Sequence, residues 1–202
     1  MIMNYSIIGS GSVGMALASQ FVRHGISVGV ANSRGRDAVA AVLRGHGEVL
    51  RAFTIEEAVK ADLIILAVPF WAHRDVAKAA IDWKGKIIID VTNAYGVPLS
   101  DLGNEPSSSL VAKAMLGGRL VKAFNHLPAG VLAQDPKTAE GRRVVFLSSD
   151  DEEATSEVAN LVRRLGFAPV SLGKIAEGGR LVQAQDKGWA PLIFQDFFKK
   201  EV

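Results

Sequence analysis

A glycine-rich segment between a strand-like run and a helix-like run is the strongest constraint on the fold of this 202-residue chain. Tyr5–Ile8 is predicted to be a strand, and Gly9-Ser10-Gly11-Ser12-Val13-Gly14 follows it at the start of a predicted helix over Val13–Val22. The pattern G-x-G-x-x-G alone is weak, because a sequence with 20 glycines produces chance matches. Its position between a strand and a helix makes it indicative of a dinucleotide-binding turn.

Each of the three motif glycines has its own steric role in such a turn. Gly9 permits the tight bend after the strand, Gly11 lets a pyrophosphate approach the backbone, and Gly14 lets the helix pack against the strand. The helix N-terminus adds free N–H groups and positive potential for the phosphates. A glycine-rich turn without a ligand is the alternative, and the strand and helix on either side argue against it.

The turn after the second predicted strand, Val28–Val30, indicates which dinucleotide is bound. NAD sites place Asp or Glu there, about 20 residues beyond the glycines, to bind the ribose 2′-OH. This chain has Asn32-Ser33-Arg34, with Arg36 close by, and no carboxylate that would repel a 2′-phosphate. Arg34 can pair with such a phosphate in a bidentate manner, and Ser33 can donate a further hydrogen bond. The sequence therefore favours NADP(H), with a solvated pair of surface arginines as the alternative.

Strand-like and helix-like runs alternate over most of the chain, which predicts an α/β fold: a Rossmann-type, doubly wound, mainly parallel sheet with a short helical C-terminal lobe. We expect residues 1–172 to form the NADP-binding domain and residues 173–202 to form a helical tail that covers the nicotinamide side. Gly96–Ser109 is predicted to be a loop. The other predicted strands are Val49–Phe53, Leu63–Val68, Ile87–Val91, Leu120–Phe124, Val144–Leu147 and Ala168–Ser171, and the other predicted helices are Asp37–Leu43, one capped by Thr54 and Glu57, Trp71–Ile81 and Asp150–Leu165.

Composition excludes several classes of site. The net charge of +2 is too small to indicate a nucleic-acid or membrane surface. The absence of cysteine excludes disulfides, thiolate nucleophiles and Cys-based metal sites. His24, His46 and His73 show no ligand-like spacing, so no metal is predicted. Leu63–Val68 is the most apolar run and is too short to span a bilayer, and no basic leader precedes the first strand, so we expect a cytoplasmic protein.

Residues that follow the later strands are candidates for the nicotinamide end of the site, because ligands bind at the carboxyl ends of parallel strands. Val68-Pro69-Phe70-Trp71 follows the fourth strand, and its rings can pack either on the cofactor or in the core. Thr92-Asn93 follows the fifth strand and can hydrogen-bond the nicotinamide side. Asn125-His126 follows the sixth, and a lone histidine there is either a structural residue or a catalytic one.

Five segments occur in an order that resembles the NADPH-dependent reductases of the deazaflavin coenzyme F420, including the NADP oxidoreductase linked to that coenzyme. The tail segment Gly178-Gly179-Arg180-Leu181 also resembles that family's C-terminal helix. The cytosolic domain of transmembrane metalloreductases is similar as well. The five segments are Gly9–Gly14, Asn32-Ser33-Arg34, Ala61–Pro69, Asp90-Val91-Thr92-Asn93 and Val121–Asn125.

The resemblance implies a Rossmann domain, a small C-terminal lobe over the nicotinamide and a homodimer. It also implies NADP(H) as the cofactor and a deazaflavin or another acceptor as the second substrate. By position, the binding residues would be Ser10, Ser12 and Val13 at the pyrophosphate, Ser33 and Arg34 at the 2′-phosphate, and Ala67, Val68 and Pro69 beside the nicotinamide.

Three functions are consistent with these residues. Hydride transfer between NADP(H) and a flat redox ring, a deazaflavin or flavin, needs no acid or base from the protein, since binding and orientation supply most of the effect. Reduction of a small carbonyl, imine or hydroxy acid would need a proton donor, and His126 or Lys122 are the candidates. Related dehydrogenases carry a large helical substrate domain, whereas about 30 residues follow the last predicted strand here, so we rank this hypothesis lower. A non-catalytic NADPH-sensing module is the third hypothesis.

Overall fold

Strands and helices alternate along the computed structural model, which describes residues 3–45, 48–184 and 197–200. A 3-10 turn at Phe70–Ala72 leads into the fourth helix, and a π-helical turn at Ile175–Gly179 follows the ninth strand. The strands are β1 (Tyr5–Ile8), β2 (Val28–Ala31), β3 (Leu50–Ala52), β4 (Leu63–Leu66), β5 (Ile87–Asp90), β6 (Arg119–Ala123), β7 (Lys137–Thr138), β8 (Gly141–Ser148), β9 (Ala168–Ser171) and β10 (Phe198–Lys199). The helices are α1 (Ser12–Arg23), α2 (Arg36–Leu43), α3 (Ile55–Ala58), α4 (His73–Ala77), α5 (Leu99–Leu102), α6 (Ser107–Ala114), α7 (Ala129–Leu132) and α8 (Glu152–Arg164).

Six parallel strands form the body of the sheet, in the order β3-β2-β1-β4-β5-β6. The order reverses between β1 and β4, and the carboxyl ends of these two strands border the crevice in which doubly wound folds bind ligands. β8 runs antiparallel to β6, and β9 pairs with β8 in parallel. The predicted Rossmann-type, mainly parallel sheet is confirmed.

Two apolar layers cover the two faces of the sheet, because successive strand residues point to opposite faces. Ile7 and Ile65 belong to the layer that contains α1 and α8. Ile8 and Ile64 belong to the layer that contains residues of α4 and α6. All four side chains are fully buried, as the continuous apolar runs of the central strands predict.

The segment Gly96–Ser109 is not the loop that its Gly, Pro and Ser content predicts, because it contains α5 and the first turn of α6. Ser107 and Ser108 are buried on α6, and the hydroxyl of Ser108 donates to the carboxylate of Asp90 on β5 at 2.6 Å. A tertiary hydrogen bond thus holds serines in a helix where local propensity favours a turn. The predicted helix Trp71–Ile81 is shorter than expected and continues as α4 only to Ala77.

The tail from residue 173 is helical only in part. Its described portion contains the π-helical turn, in which Gly178 and Gly179 are buried. Phe198 and Lys199 instead form β10, which extends the edge of β8 in antiparallel register. Residues 185–196, which the predicted tail includes, lie outside the described residues.

The cap predicted at Thr54 is present, and a second helix start has a cap that was not predicted. Thr54 and Glu57 form a reciprocal capping box at α3. Asp151 caps α8 by accepting a hydrogen bond from the N–H of Ala154 at 2.8 Å. The guanidinium of Arg119 binds this carboxylate at 2.7 and 3.0 Å and is the main cause that lowers the pKa of Asp151 to about 2. Across the described ranges, no helix is both long enough and apolar enough to span a membrane.

Candidate functional site

The glycine turn lies between the carboxyl ends of β2 and β4. Gly9 has a φ of +118°, and its N–H donates to the carbonyl of Ala31 at 2.8 Å. A Cβ atom on Gly9 would lie 2.1 Å from the carbonyl oxygen of Ala67, which follows β4. Both the positive φ and this close approach require glycine at position 9. The contacts with Ala31 and Ala67 place the turn where the strand order reverses.

A side chain would have different consequences at Gly14 and at Gly11. A Cβ on Gly14 would lie 1.8 Å from the carbonyl oxygen of Gly9, so this glycine lets α1 pack against the turn. Gly11 is exposed, and a Cβ there would meet no protein atom within 4 Å. The space above Gly11 is therefore open to a ligand, as the predicted approach of a pyrophosphate requires.

The N-terminus of α1 faces the same turn without a competing anion. Gly11 is the N-cap residue, no side chain within the described residues caps the helix, and the first turn contains no acidic residue. Free N–H groups and the helix dipole make such an end attractive to phosphate. Ser10 and Ser12 flank the turn, and Ser12 is exposed while Ser10 and Val13 are partly buried. These residues fit the predicted pyrophosphate loop.

Asn32 connects the glycine turn with the turn after β2. Its side-chain amide donates to the hydroxyl of Ser10 at 2.7 Å, and its amide oxygen accepts from the N–H of Arg34 at 2.8 Å. Ser33 and Arg34 are exposed beyond this link. The structure therefore brings the two predicted parts of the dinucleotide site together, with Asn32 as the residue that fixes their relative position.

The two arginines predicted near a 2′-phosphate have different partners. The guanidinium of Arg36 is hydrogen-bonded and ion-paired to the carboxylate of Glu57. The carboxylate of Glu57 also accepts a hydrogen bond from the N–H of Thr54. This bond is the largest cause of the lowered pKa of Glu57, and the hydrogen bond from Arg36 is the second. Among the ion pairs of the described residues, Arg34 takes part in none. Arg34 is thus the arginine that is available to a ligand, while Arg36 is already engaged.

The segment after β4 forms the other side of the crevice. Ala67 donates its N–H to the carbonyl of Ile8 at 2.9 Å, and Ala67 and Val68 are partly buried while Pro69 is exposed. Of the two rings that follow, for which both cofactor contact and core packing were predicted as alternatives, the structure places one in the core. Phe70 is buried in the core, whereas Trp71 is 69% exposed.

A buried ion pair that sequence reasoning did not identify lies beneath the ends of β5 and β6. Asp90 and Lys122 are both fully buried, and the Lys122 ammonium lies 3.1 Å from Asp90 Oδ2 and donates to the carbonyl of Thr92 at 2.7 Å. Asp90 also accepts bonds from Ser108 Oγ at 2.6 Å and from Thr92 Oγ1 and N at 2.7 and 2.9 Å. Burial acts to raise the pKa of Asp90, but the charge of Lys122 and these hydrogen bonds outweigh it and lower the pKa overall.

This network changes the interpretation of three predicted residues. The side chain of Thr92 is 2% exposed and its hydroxyl is bound to Asp90, so it holds the strand end in place. The amide of Asn93 is engaged by Asn125 and by the backbone of Ala184. Lys122, a candidate proton donor, is held in the ion pair without solvent access, which argues against that role.

His126 lies in the core behind the crevice. Its side chain is 1% exposed, its ring packs 5.2 Å from the ring of Phe146, and its Nε2 lies 3.5 Å from the carbonyl of Val144. Burial lowers the pKa of His126 to about 4, the hydrogen bond to Val144 opposes this, and the charge of Lys122 adds to it. The imidazole is therefore neutral near pH 7, and burial deprives it of access to a substrate. The structure favours a structural role over a catalytic one.

A pair of asparagines ties the strand ends to the C-terminal segment. Asn125 Nδ2 donates to Asn93 Oδ1 at 3.0 Å and to the carbonyl of Val182 at 2.8 Å. Asn93 Nδ2 returns a bond to the carbonyl of Asn125 at 2.7 Å, and its Oδ1 accepts from the N–H of Ala184 at 3.3 Å. Sequence reasoning placed these residues at one edge, and their mutual bonds follow only from the strand register.

An open depression of about 830 Å³ lies at the opposite edge of the sheet. Tyr5 and Val28, at the amino ends of β1 and β2, line it together with Arg51 and Arg164. The glycine turn is not part of its lining. The candidate dinucleotide site lies at the carboxyl edge instead, where the glycine turn, the free helix end and Arg34 all occur.

Known proteins resemble this chain over the residues that form the glycine turn. Residues 4–94 match the family described as NADP oxidoreductase, coenzyme F420-dependent. This range includes the glycine turn, the turn after β2 and the segment after β4. A protein from Arthrobacter sp. FB24, assigned as an F420-dependent NADP reductase, has a TM-score of 0.75 at 23% identity and 100% coverage of both chains, which supports the fold.

Two relatives have higher sequence identity. Metalloreductase STEAP3 of Rattus norvegicus is 31% identical over 171 residues, which are 84% of this chain and 34% of that protein. The chain thus spans about a third of the length of the curated relatives that it matches. A solved structure of SMa0349, a protein of unassigned function from Sinorhizobium meliloti, is 40% identical with a TM-score of 0.89, over 98% of this chain and 97% of that one. The chain therefore belongs to the same family as SMa0349, and its residues 4–94 match the family of coenzyme F420-dependent NADP oxidoreductases.

Proposed function

We propose that this oxidoreductase transfers hydride between NADP(H), bound at the carboxyl edge of the sheet, and a flat redox acceptor such as a deazaflavin or a flavin. The observation that carries this proposal is the state of the candidate proton donors. Lys122 is fully buried in an ion pair, and His126 is buried and neutral. A reaction between two redox rings needs neither, whereas reduction of a carbonyl or an imine needs a proton donor.

The residues at the edge fit a dinucleotide in two halves. The open space above Gly11 and the free end of α1 would receive the pyrophosphate, with Ser10, Ser12 and Val13 around it. Ser33 and Arg34 would bind the 2′-phosphate, with Asn32 holding the turn. NADPH supplies the hydride when it is bound.

The nicotinamide half would extend over the ends of β4, β5 and β6. Ala67, Val68 and Pro69 form the wall on the β4 side. Thr92 and Asn93 contribute by fixing the end of β5, since their side chains are bonded within the protein. We propose that the residues from 173 onward cover this half, and that Arg36 acts mainly through Glu57.

A panel of acceptors tests the proposal. NADPH oxidation is followed with 5-deazariboflavin, FMN, a ferric chelate, and a set of carbonyl and imine compounds. Rapid oxidation with the two flat rings alone supports the proposal. Oxidation with carbonyls or imines alone indicates the dehydrogenase alternative, and tight NADPH binding without any turnover indicates a sensing module. A homodimer and a cytoplasmic location stay predictions, and the first is checked by sedimentation equilibrium.

A further inference from the structure

The segment Arg180–Ala184 is hydrogen-bonded to residues that follow β5 and β6 and to backbone groups at and before the start of α6. Besides the bonds of Asn93 and Asn125 to Ala184 and Val182, Gln183 Oε1 accepts from the N–H of Ser107 at 2.8 Å. The guanidinium of Arg180 donates to the carbonyl of Asn104 at 2.6 Å. Four of the five residues in the segment are therefore held by named hydrogen bonds.

Asn125 is the centre of this attachment. It is 6% exposed, and its Nδ2 donates to two acceptors on two different elements. Its Oδ1 is buried and accepts no hydrogen bond from the described residues. The two bonds of Nδ2 set the orientation of the amide, because the reversed amide would place its oxygen against Asn93 Oδ1 and the Val182 carbonyl oxygen. Phe124, directly before it, has a φ of +62° and is fully buried. Such strained backbone persists where the surroundings determine it, and it is common at functional sites.

The position of the segment relative to the cofactor follows from the topology. Arg34 marks the adenine-ribose end over β2, and the glycine turn marks the pyrophosphate over β1. In a doubly wound fold the other half of the dinucleotide extends across the crevice towards β4 and β5. The ends of β5 and β6, and the segment bonded to them, lie on that nicotinamide side.

Two exposed apolar side chains flank the paired asparagines. Tyr95 follows Asn93 by two residues and is 54% exposed, and Leu181 precedes Val182 and is 45% exposed. An aromatic and an aliphatic surface at this position suit a flat ring, which packs on such side chains.

We propose that Asn93 and Asn125 form a clamp that fixes Arg180–Ala184 as the acceptor-side wall, which makes Asn125 a positioning residue for binding of the flat acceptor. This inference rests on the proposed function for the acceptor and on geometry alone for the clamp. Asn125 would act through the segment that it holds, since both hydrogen bonds of its Nδ2 go to protein acceptors.

Asn125→Asp tests the clamp, because it keeps the size of the side chain and replaces the donor by an acceptor. Asn160→Asp is the matched control, because it adds the same charge at an exposed position of α8 at the opposite edge. Gln183→Ala loosens the segment by a bond that does not involve the strand ends, and serves if the first variant does not fold.

Hydrogen exchange and kinetics with 5-deazariboflavin give separate readouts. In Asn125→Asp we expect the amides of Val182 to Ala184 to exchange at least tenfold faster, the KM for 5-deazariboflavin to rise about tenfold, and kcat and the Kd for NADPH to change less than threefold. Gln183→Ala should give the same pattern with a smaller rise, and Asn160→Asp should match the wild type.

The contrary results are distinct. Unchanged hydrogen exchange in folded Asn125→Asp would show that Asn125 does not hold Arg180–Ala184. Faster exchange with an unchanged KM would show that the segment does not contribute to acceptor binding. An equal rise in the KM and in the Kd for NADPH would show that the clamp acts on the cofactor instead. Wild-type protein that reduces no flat acceptor overturns the proposed function, and the wall with it, while the exchange result still decides the clamp.

Discussion

Arg34→Ala should weaken NADPH binding about tenfold and leave NADH binding within twofold. A hydrogen bond to a charged group contributes about 1.5–3 kcal/mol. Arg34 is exposed, so water and salt screen the contact, and we take the lower end of that range. About 1.4 kcal/mol corresponds to a tenfold change in Kd. Only one arginine is counted, because Arg36 is already paired with Glu57.

Calorimetric titration of both dinucleotides measures the effect, and two variants control it. Arg51→Ala removes an equal charge from the depression at the opposite edge and should leave both dissociation constants unchanged. Arg36→Ala should have a smaller effect than Arg34→Ala. A uniform loss of affinity for NADPH and NADH in Arg34→Ala, or equal affinities in the wild type, would refute the assignment of the 2′-phosphate site.

Four further predictions concern the turn and the buried polar groups. Gly11→Val should abolish NADPH binding in a protein that still melts cooperatively, because its side chain would enter only the ligand space; normal binding would place the pyrophosphate elsewhere. His126→Asn should lower turnover only modestly, and a thousandfold loss with disappearance of a pH step would indicate a proton donor. The pKa of His126 is about 4 in the folded protein and about 6.5 in the unfolded chain, so on acidification the unfolded chain takes up the proton first. The free energy of unfolding of the wild type should therefore fall as the pH drops from about 6.5 to 4, by about 3 kcal/mol at most. His126→Asn should lack this pH dependence in urea titrations. Lys122→Met should cost about 3–5 kcal/mol by leaving Asp90 unpaired, and adding Asp90→Asn should recover most of it; equal stabilities of the single and double variants would exclude the coupling.

The glycine turn and its flanking elements could be predicted from sequence because their determinants are local. A strand, three glycines and a helix follow one another within twenty residues, and the steric demands at Gly9 and Gly14 are those that the motif implies. The parallel sheet follows from the alternation of apolar runs with helices. Asn32-Ser33-Arg34 could be placed at the end of the second strand from sequence because it directly follows the apolar run of β2.

The polar interior of the edge could not be predicted in the same way, because it depends on long-range register. Asp90 and Lys122 meet because β5 and β6 pair with these residues opposite each other. A charged residue at the end of Ile87–Ile89 and another inside the apolar run of β6 were the available signals. Likewise, α6 begins with serines that favour a turn locally, and only the bond from Ser108 to Asp90 explains its buried position.

Direct hydride transfer to a flat acceptor is tested most directly by isotope transfer. NADPH that carries deuterium at the transferred position of the nicotinamide is mixed with the protein and 5-deazariboflavin in ordinary water, and the reduced product is analysed by mass spectrometry. The carbon that receives hydride in a deazaflavin retains its hydrogen, so we expect one deuterium in the product. A reduced product without deuterium, or an unreduced deazaflavin beside rapid NADPH oxidation by carbonyl or imine compounds, would contradict transfer between the two rings.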